Sequence, residues 1–141
     1  MLTPSKHNFM NSNNKIGQIG EDLACQYLLN NKYKLIDRNY REKWGEIDII
    51  CKDRSGVLVF VEVKTLRKSD FLNPEENLHS TKLKKIKRTA YLYANNRPDL
   101  INDNKGWQID LVAIEIDHQN PESVPTKELL KYSILRHYKN I

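Results

Sequence analysis

The chain has 141 residues, a net charge of +5 and a pI of about 9.1. That length suits one domain able to cover both faces of a small sheet, without a second lobe. The basic balance fits an anionic partner but does not require one, and Cys25 and Cys51 lack the spacing of a metal knuckle or a disulfide framework. No segment reads as a signal peptide or membrane span, so the expectation is a cytoplasmic protein with no membrane partner.

Met1 to Asn14 is polar and asparagine-rich and reads as a flexible arm, leaving 15–141 as a single domain. From Ile16, the residues Ile19, Leu23, Ala24, Tyr27 and Leu28 recur at helical spacing up to the Asn30-Asn31 stop. Glu21 falls about 100° from the centre of that stripe, where a glutamate is ordinarily solvated. Leu35 to Tyr40 predicts a first strand, followed by a hairpin of Glu46–Lys52 and Val57–Thr65. A polar stretch, Leu66 to Pro74, then crosses to a second helix. In that helix Leu83, Ile86, Ala90 and Tyr93 form the buried stripe, and Lys82, Lys84, Lys85, Lys87 and Arg88 occupy the remainder, usually a solvated face. Trp107 to Ile116 alternates as a core strand. Pro121 and Pro125 mark a loop, and Leu129 to Tyr138 reads equally as a short helix or a strand.

The hairpin carries the chemistry. Glu62 and Lys64 stand two apart in an otherwise apolar strand, and burying unpaired charge is costly. If Arg54-Ser55-Gly56 is a three-residue loop with Gly56 left-handed, Asp53 pairs with Val57. That register sets Asp48 across from Glu62 and Glu46 across from Lys64, all four on one face. Opposed carboxylates repel, and a hard divalent cation is the usual remedy. With neither thiolate nor imidazole in the cluster, Mg2+ or Mn2+ fits best. A salt-bridged hairpin, with Lys64 neutralising Glu46 and Glu62, accounts for the same residues without a metal.

Other chemistries have less support. His7, His79, His118 and His137 have no ligand-like spacing and read as surface residues, and no glycine-rich phosphate loop is present. Trp44, beside the acidic residues, either stacks on a base or covers the hairpin edge.

Asp48, the hairpin and Glu62-Val63-Lys64 resemble the PD-(D/E)xK signature of restriction-endonuclease-like nucleases. More closely, Gly20-Glu21 with Ala24, Arg38-Asn39 with Arg41, Gly45-Glu46-Ile47-Asp48, Phe60-Val61-Glu62-Val63-Lys64 and Lys82 resemble the YraN-like (UPF0102) family, a relation of archaeal Holliday-junction resolvases. The likeness spans roughly Ile16 to Ile116. Two departures stand out. Ile47 replaces the proline of the general nuclease signature, though the Gly-Glu-Ile-Asp form matches the smaller family. Gln108-Ile109 stand where the family usually has an arginine and an aromatic before Asp110.

The resemblance implies an α/β, restriction-endonuclease-like fold: a small mixed sheet flanked by helices, in the order helix-strand-strand-strand-helix-strand. It also implies a metal-dependent nuclease acting on DNA, including branched or nicked forms. Asp48, Glu62, the Val63 carbonyl and Glu21 would hold the metal. Lys64 would orient or deprotonate water, with Glu46 steering Lys64. Lys82 would contact phosphate, with Lys85, Arg38, Arg41, Arg67 and Lys68 as further nucleic-acid contacts. The alternative is a catalytically silent nucleic-acid-binding module of the same fold that acts through a protein partner. The relation to resolvases further suggests a homodimer.

Overall fold

A computed structural model describes residues 12–67 and 80–141. Helix α1 (Ser12–Asn30) begins one turn before its apolar stripe, so its start takes in residues assigned above to the arm. The rest of that segment lies outside the described residues. The helix ends where Tyr33 N–H reaches back to the Leu28 carbonyl at 3.0 Å and Lys32 turns left-handed (φ 68°), a closing turn that satisfies the last carbonyls.

Strands β1 (Lys34–Glu42), β2 (Gly45–Lys52) and β3 (Leu58–Arg67) follow as an antiparallel meander. Helix α2 (Ser80–Asn96) then leads to β4 (Trp107–Ile116), which lies parallel to β3. The ambiguous C-terminal stretch resolves into both alternatives. A single helical turn, α3 (Thr126–Leu129), and a 3-10 turn precede β5 (Ser133–Tyr138), antiparallel to β4. The result is a mixed five-stranded sheet in the order β1-β2-β3-β4-β5, flanked by helices, consistent with a restriction-endonuclease-like fold.

Strand alternation builds a core on each face. Cys51, Val59, Val61 and Val112 point toward Leu23, Ala24 and Leu28 of α1, while Ile50, Leu58 and Phe60 point toward Ile86, Ala90 and Tyr93 of α2. Phe60 is fully buried and meets Tyr93 and Trp107 edge-on, at centroid distances of 5.7 and 5.5 Å. Burial of such a ring contributes roughly 2–3 kcal/mol.

The β2–β3 turn is the expected three-residue loop. Gly56 takes φ +88°, and Asp53 N–H donates to the Val57 carbonyl at 3.0 Å. Asp53 Oδ1 accepts from Ser55 N–H, Ser55 Oγ and Val57 N–H, each at 2.9 Å. Partial burial opposes its ionisation, yet these donors hold its carboxyl below the ordinary value.

One histidine departs from expectation. His137 on β5 is buried rather than at the surface. Its Nε2 lies 2.7 Å from Asp110 Oδ2 and its Nδ1 lies 3.0 Å from the Tyr27 hydroxyl. Asp110 is fully buried, and its Oδ1 also accepts from Gln108 Nε2 and Asn140 N–H. This network ties the last strand to α1. Removing one partner of a buried pair leaves the other unsatisfied, so His137→Ala should destabilise the protein by about 3 kcal/mol. Urea denaturation checks this, and a loss under about 1 kcal/mol would mean that Asp110 does not depend on the imidazole.

Candidate active site

The acidic residues meet where the sheet forks. The β2–β3 ladder runs from Lys52–Leu58 to Ile49–Val61. Beyond it the Asp48 carboxylate takes the place of a backbone partner, its Oδ2 accepting the Val63 N–H at 2.8 Å. The other neighbour of β2 is irregular at the same level. Arg38 pairs with Ile49 and Tyr40 with Ile47, and Asn39 between them is left-handed (φ 53°). The faces switch there. Arg38 reaches Asp22 on α1, whereas Tyr40, two residues on, packs against Tyr93 of α2. Asp48 lies opposite this kink and interacts with groups from both layers.

The glutamates arrive from opposite sides. Glu62 follows Phe60 on the α2 face and is buried, with Lys82 Nζ at 2.5 Å from Oε1. Glu21 comes from α1. That helix lies close to β3 because residue 20 is glycine, and any side chain there would overlap Thr65. Burial first, and then the Glu62 carboxylate, push Asp48 up to about 7, against the Val63 N–H and the Lys82 charge. Glu21 is likewise raised to about 7 by burial and by Asp48, against the charge of Arg38 and a hydrogen bond from Asn39. Burial works against the Lys82 ammonium, but its bond to Glu62 and the neighbouring carboxylates raise its pKa overall. Asp48, hydrogen-bonded to Glu62, therefore keeps its proton to higher pH than a free aspartate does. Among the described residues no three His, Cys, Asp or Glu side chains form a ready-made metal cage.

Several expected placements change. Asp48 and Glu62 meet through their side chains rather than as a ladder pair. Glu46 turns to β1, where it pairs with Arg41 at 3.4 Å. It does not steer Lys64, and Arg41 is held in that exposed ion pair. Arg38 is also engaged, 2.8 Å from Asp22 and 4.0 Å from Glu21, bracing the acidic cluster from beneath. Lys64 is half-buried, beside Ala113 of β4. Lys82 is no free phosphate contact but the counter-ion of Glu62, and Lys85 is exposed one turn on. The Arg67 side chain and Lys68 lie outside the described residues. Trp44 is half-buried in the turn between β1 and β2.

Residues 20–114 match the model of the family described as Uncharacterised protein family UPF0102. The chain belongs to the UPF0102 family. It is 41% identical over 105 residues to a UPF0102 protein of Syntrophomonas wolfei, an alignment covering 74% of this chain and 88% of that one. A UPF0102 protein of Persephonella marina is 39% identical over 104 residues (74% and 84%), and one of Flavobacterium johnsoniae is 33% identical over 120 (85% and 94%). The UPF0102 match contains Glu21, the fork, α2 and most of β4, whereas β5 with His137 lies beyond it.

Asn39, which the sequence marks only as part of the Arg38-Asn39 motif of the UPF0102 family, has a structural role at the site. It supplies the left-handed kink opposite Asp48, and its side chain bonds to Glu21. Asparagine tolerates that conformation better than most residues, the one clue to that role in the sequence.

The raised Asp48 pKa fixes a pH dependence. An unfolded aspartate titrates near 3.9, so the folded state keeps its proton longer. The Asp48 contribution is complete below about pH 4 and is lost as pH rises through about 7. Asp48→Asn keeps an acceptor for Val63 N–H and cannot ionise. In chelator-treated buffer it should be more stable than wild type by about 2 kcal/mol at pH 8, with the gain vanishing toward pH 4. Denaturation series across pH check this, and a variant equal to or weaker than wild type at pH 8 would contradict it.

Proposed function

We propose that this chain is a metal-dependent nuclease that hydrolyses phosphodiester bonds in DNA, with Asp48 and Glu62 as its metal-binding centre. The observation that carries the reading is the Asp48–Glu62 carboxyl pair at the strand fork, half-buried Asp48 held by Val63 N–H and buried Glu62 by the Lys82 ammonium. Acids held this close carry a standing demand for positive charge, which a divalent cation meets better than a proton does. Their donor set is all oxygen, suiting Mg2+ or Mn2+ over zinc or copper.

Asp48 and Glu62, with the Val63 carbonyl and Glu21, would hold that ion. When bound, such a cation lowers the pKa of water and offsets charge on a phosphate. The chain's own groups do the rest. Val63 N–H fixes the orientation of Asp48. Lys64, on the strand that carries Glu62, would position the attacking water and stabilise charge developing on phosphate. Lys82, paired with Glu62 and with its side chain 48% exposed, is the cation placed to contact a phosphate and would do so if Glu62 turned to a metal ion.

The order of the acidic motif, shared with nucleases of the PD-(D/E)xK type, supports this reading. Its relation to resolvases extends the proposal to branched or nicked substrates and to a homodimer presenting two such sites. The described residues contain no helix long and apolar enough to cross a membrane.

Cleavage of duplex, nicked, flap and four-way DNA with Mg2+ or Mn2+ tests the proposal. Lys64→Ala should cut about a thousandfold more slowly, close to 4 kcal/mol, with DNA affinity nearly unchanged. Undiminished cutting by this variant would remove Lys64 from the mechanism. Binding without cutting on every substrate would favour a silent binding module.

A further inference from the structure

On the α2 face of the sheet lies a groove of about 500 Å³ between α2 and the start of β4. Lys87, Arg88 and Tyr91 form its helix wall, and Trp107 and Ile109 its sheet wall. Tyr91 is 57% exposed, the most exposed large ring among the described residues, and lines this groove. Trp107 stands edge-on to Phe60, which holds its ring in place from the core side. Lys84, Lys87, Arg88 and Tyr91 recur at i, i+3, i+4 and i+7 and so share one side of the helix. Two cations, Lys87 and Arg88, and two aromatic rings thus border one open channel, with Lys84 one turn back on the same side of the helix. A solvated helix face accounts for the lysines but not for the ring beside them.

We propose that this groove binds single-stranded DNA, with a base stacked between Tyr91 and Trp107 and the adjoining phosphates on Lys84, Lys87 and Arg88. Aromatic faces accept any base, and a cationic helix edge follows a backbone, the pairing that suits single strands. Duplex DNA keeps its bases stacked on one another and cannot use the rings. Lys82, which touches Glu62, and Tyr91 are nine residues or about two and a half turns apart on α2 and so project from opposite sides, which makes this groove a surface separate from the acidic fork. The inference does not rest on the nuclease reading. Binding in the groove itself requires no cleavage.

The test is fluorescence anisotropy in chelator-containing buffer, where nothing is cut, using labelled oligothymidine and a blunt duplex of equal length. Tyr91→Ala should lose about tenfold or more in affinity for the single strand and less than about twofold for the duplex. Lys87→Ala with Arg88→Ala should flatten the single-strand salt dependence by about 1.4 units of slope, at about 0.7 per contact. Tyr91→Ala binding oligothymidine as tightly as wild type, or losing equally on both ligands, would overturn the inference. Cleavage measured separately distinguishes the two claims. A chain that cuts DNA with no Tyr91-dependent single-strand affinity keeps its nuclease and loses this groove, whereas Tyr91-dependent binding without cutting does the reverse.

Discussion

The bond from Val63 N–H to the Asp48 carboxylate is the interaction on which the site depends. A sheet that continued its ladder past Ile49–Val61 would pair backbone with backbone and leave no place for a side chain. Here the strands part, and Asp48 satisfies the donor the ladder no longer reaches. The bond is favourable to the carboxylate, yet burial and the adjacent Glu62 outweigh it and leave the pair short of positive charge. Helix α2 answers that deficit with Lys82, whereas α1 deepens it with a further acid, Glu21, restrained by Arg38 and Asn39.

This arrangement divides the basic residues into two populations. Arg38, Arg41 and Lys82 are committed to carboxylates in the resting protein, so their charge is largely spent within the fold. Lys84, Lys85, Lys87 and Arg88 project from α2 toward solvent. Other exposed cations, among them Lys34, Lys43 and Lys131, lie elsewhere on the surface, but α2 gathers four within five positions.

Much of the scaffold was legible in the sequence. The three-residue loop with Gly56 left-handed, one of the loop lengths the sequence allows, gave the hairpin register, and alternation marked Trp107 to Ile116 to the residue. The family motifs singled out Glu21, which periodicity alone leaves as an ordinary solvated glutamate. The fork was not legible, since register arithmetic assumes that strands stay paired. Extending it placed Glu46 against Lys64, whereas Glu46 follows β1 to Arg41. The kink at Asn39 switches the facing of neighbouring side chains, an event that a period of two cannot express. His137 was misread for a related reason. Its partners, Asp110 and Tyr27, lie 27 and 110 positions away, and nothing local announces a long-range buried pair.

The central claim is that one proton occupies the place of a cation between Asp48 and Glu62. Calorimetric titration of Mn2+ into the protein, in buffers of different ionisation heats, counts the protons expelled on binding. Close to two protons, one each from Asp48 and Glu21, should be released near pH 6 and almost none near pH 9, where both are already ionised. Binding heats that are the same in every buffer at pH 6 would contradict the account.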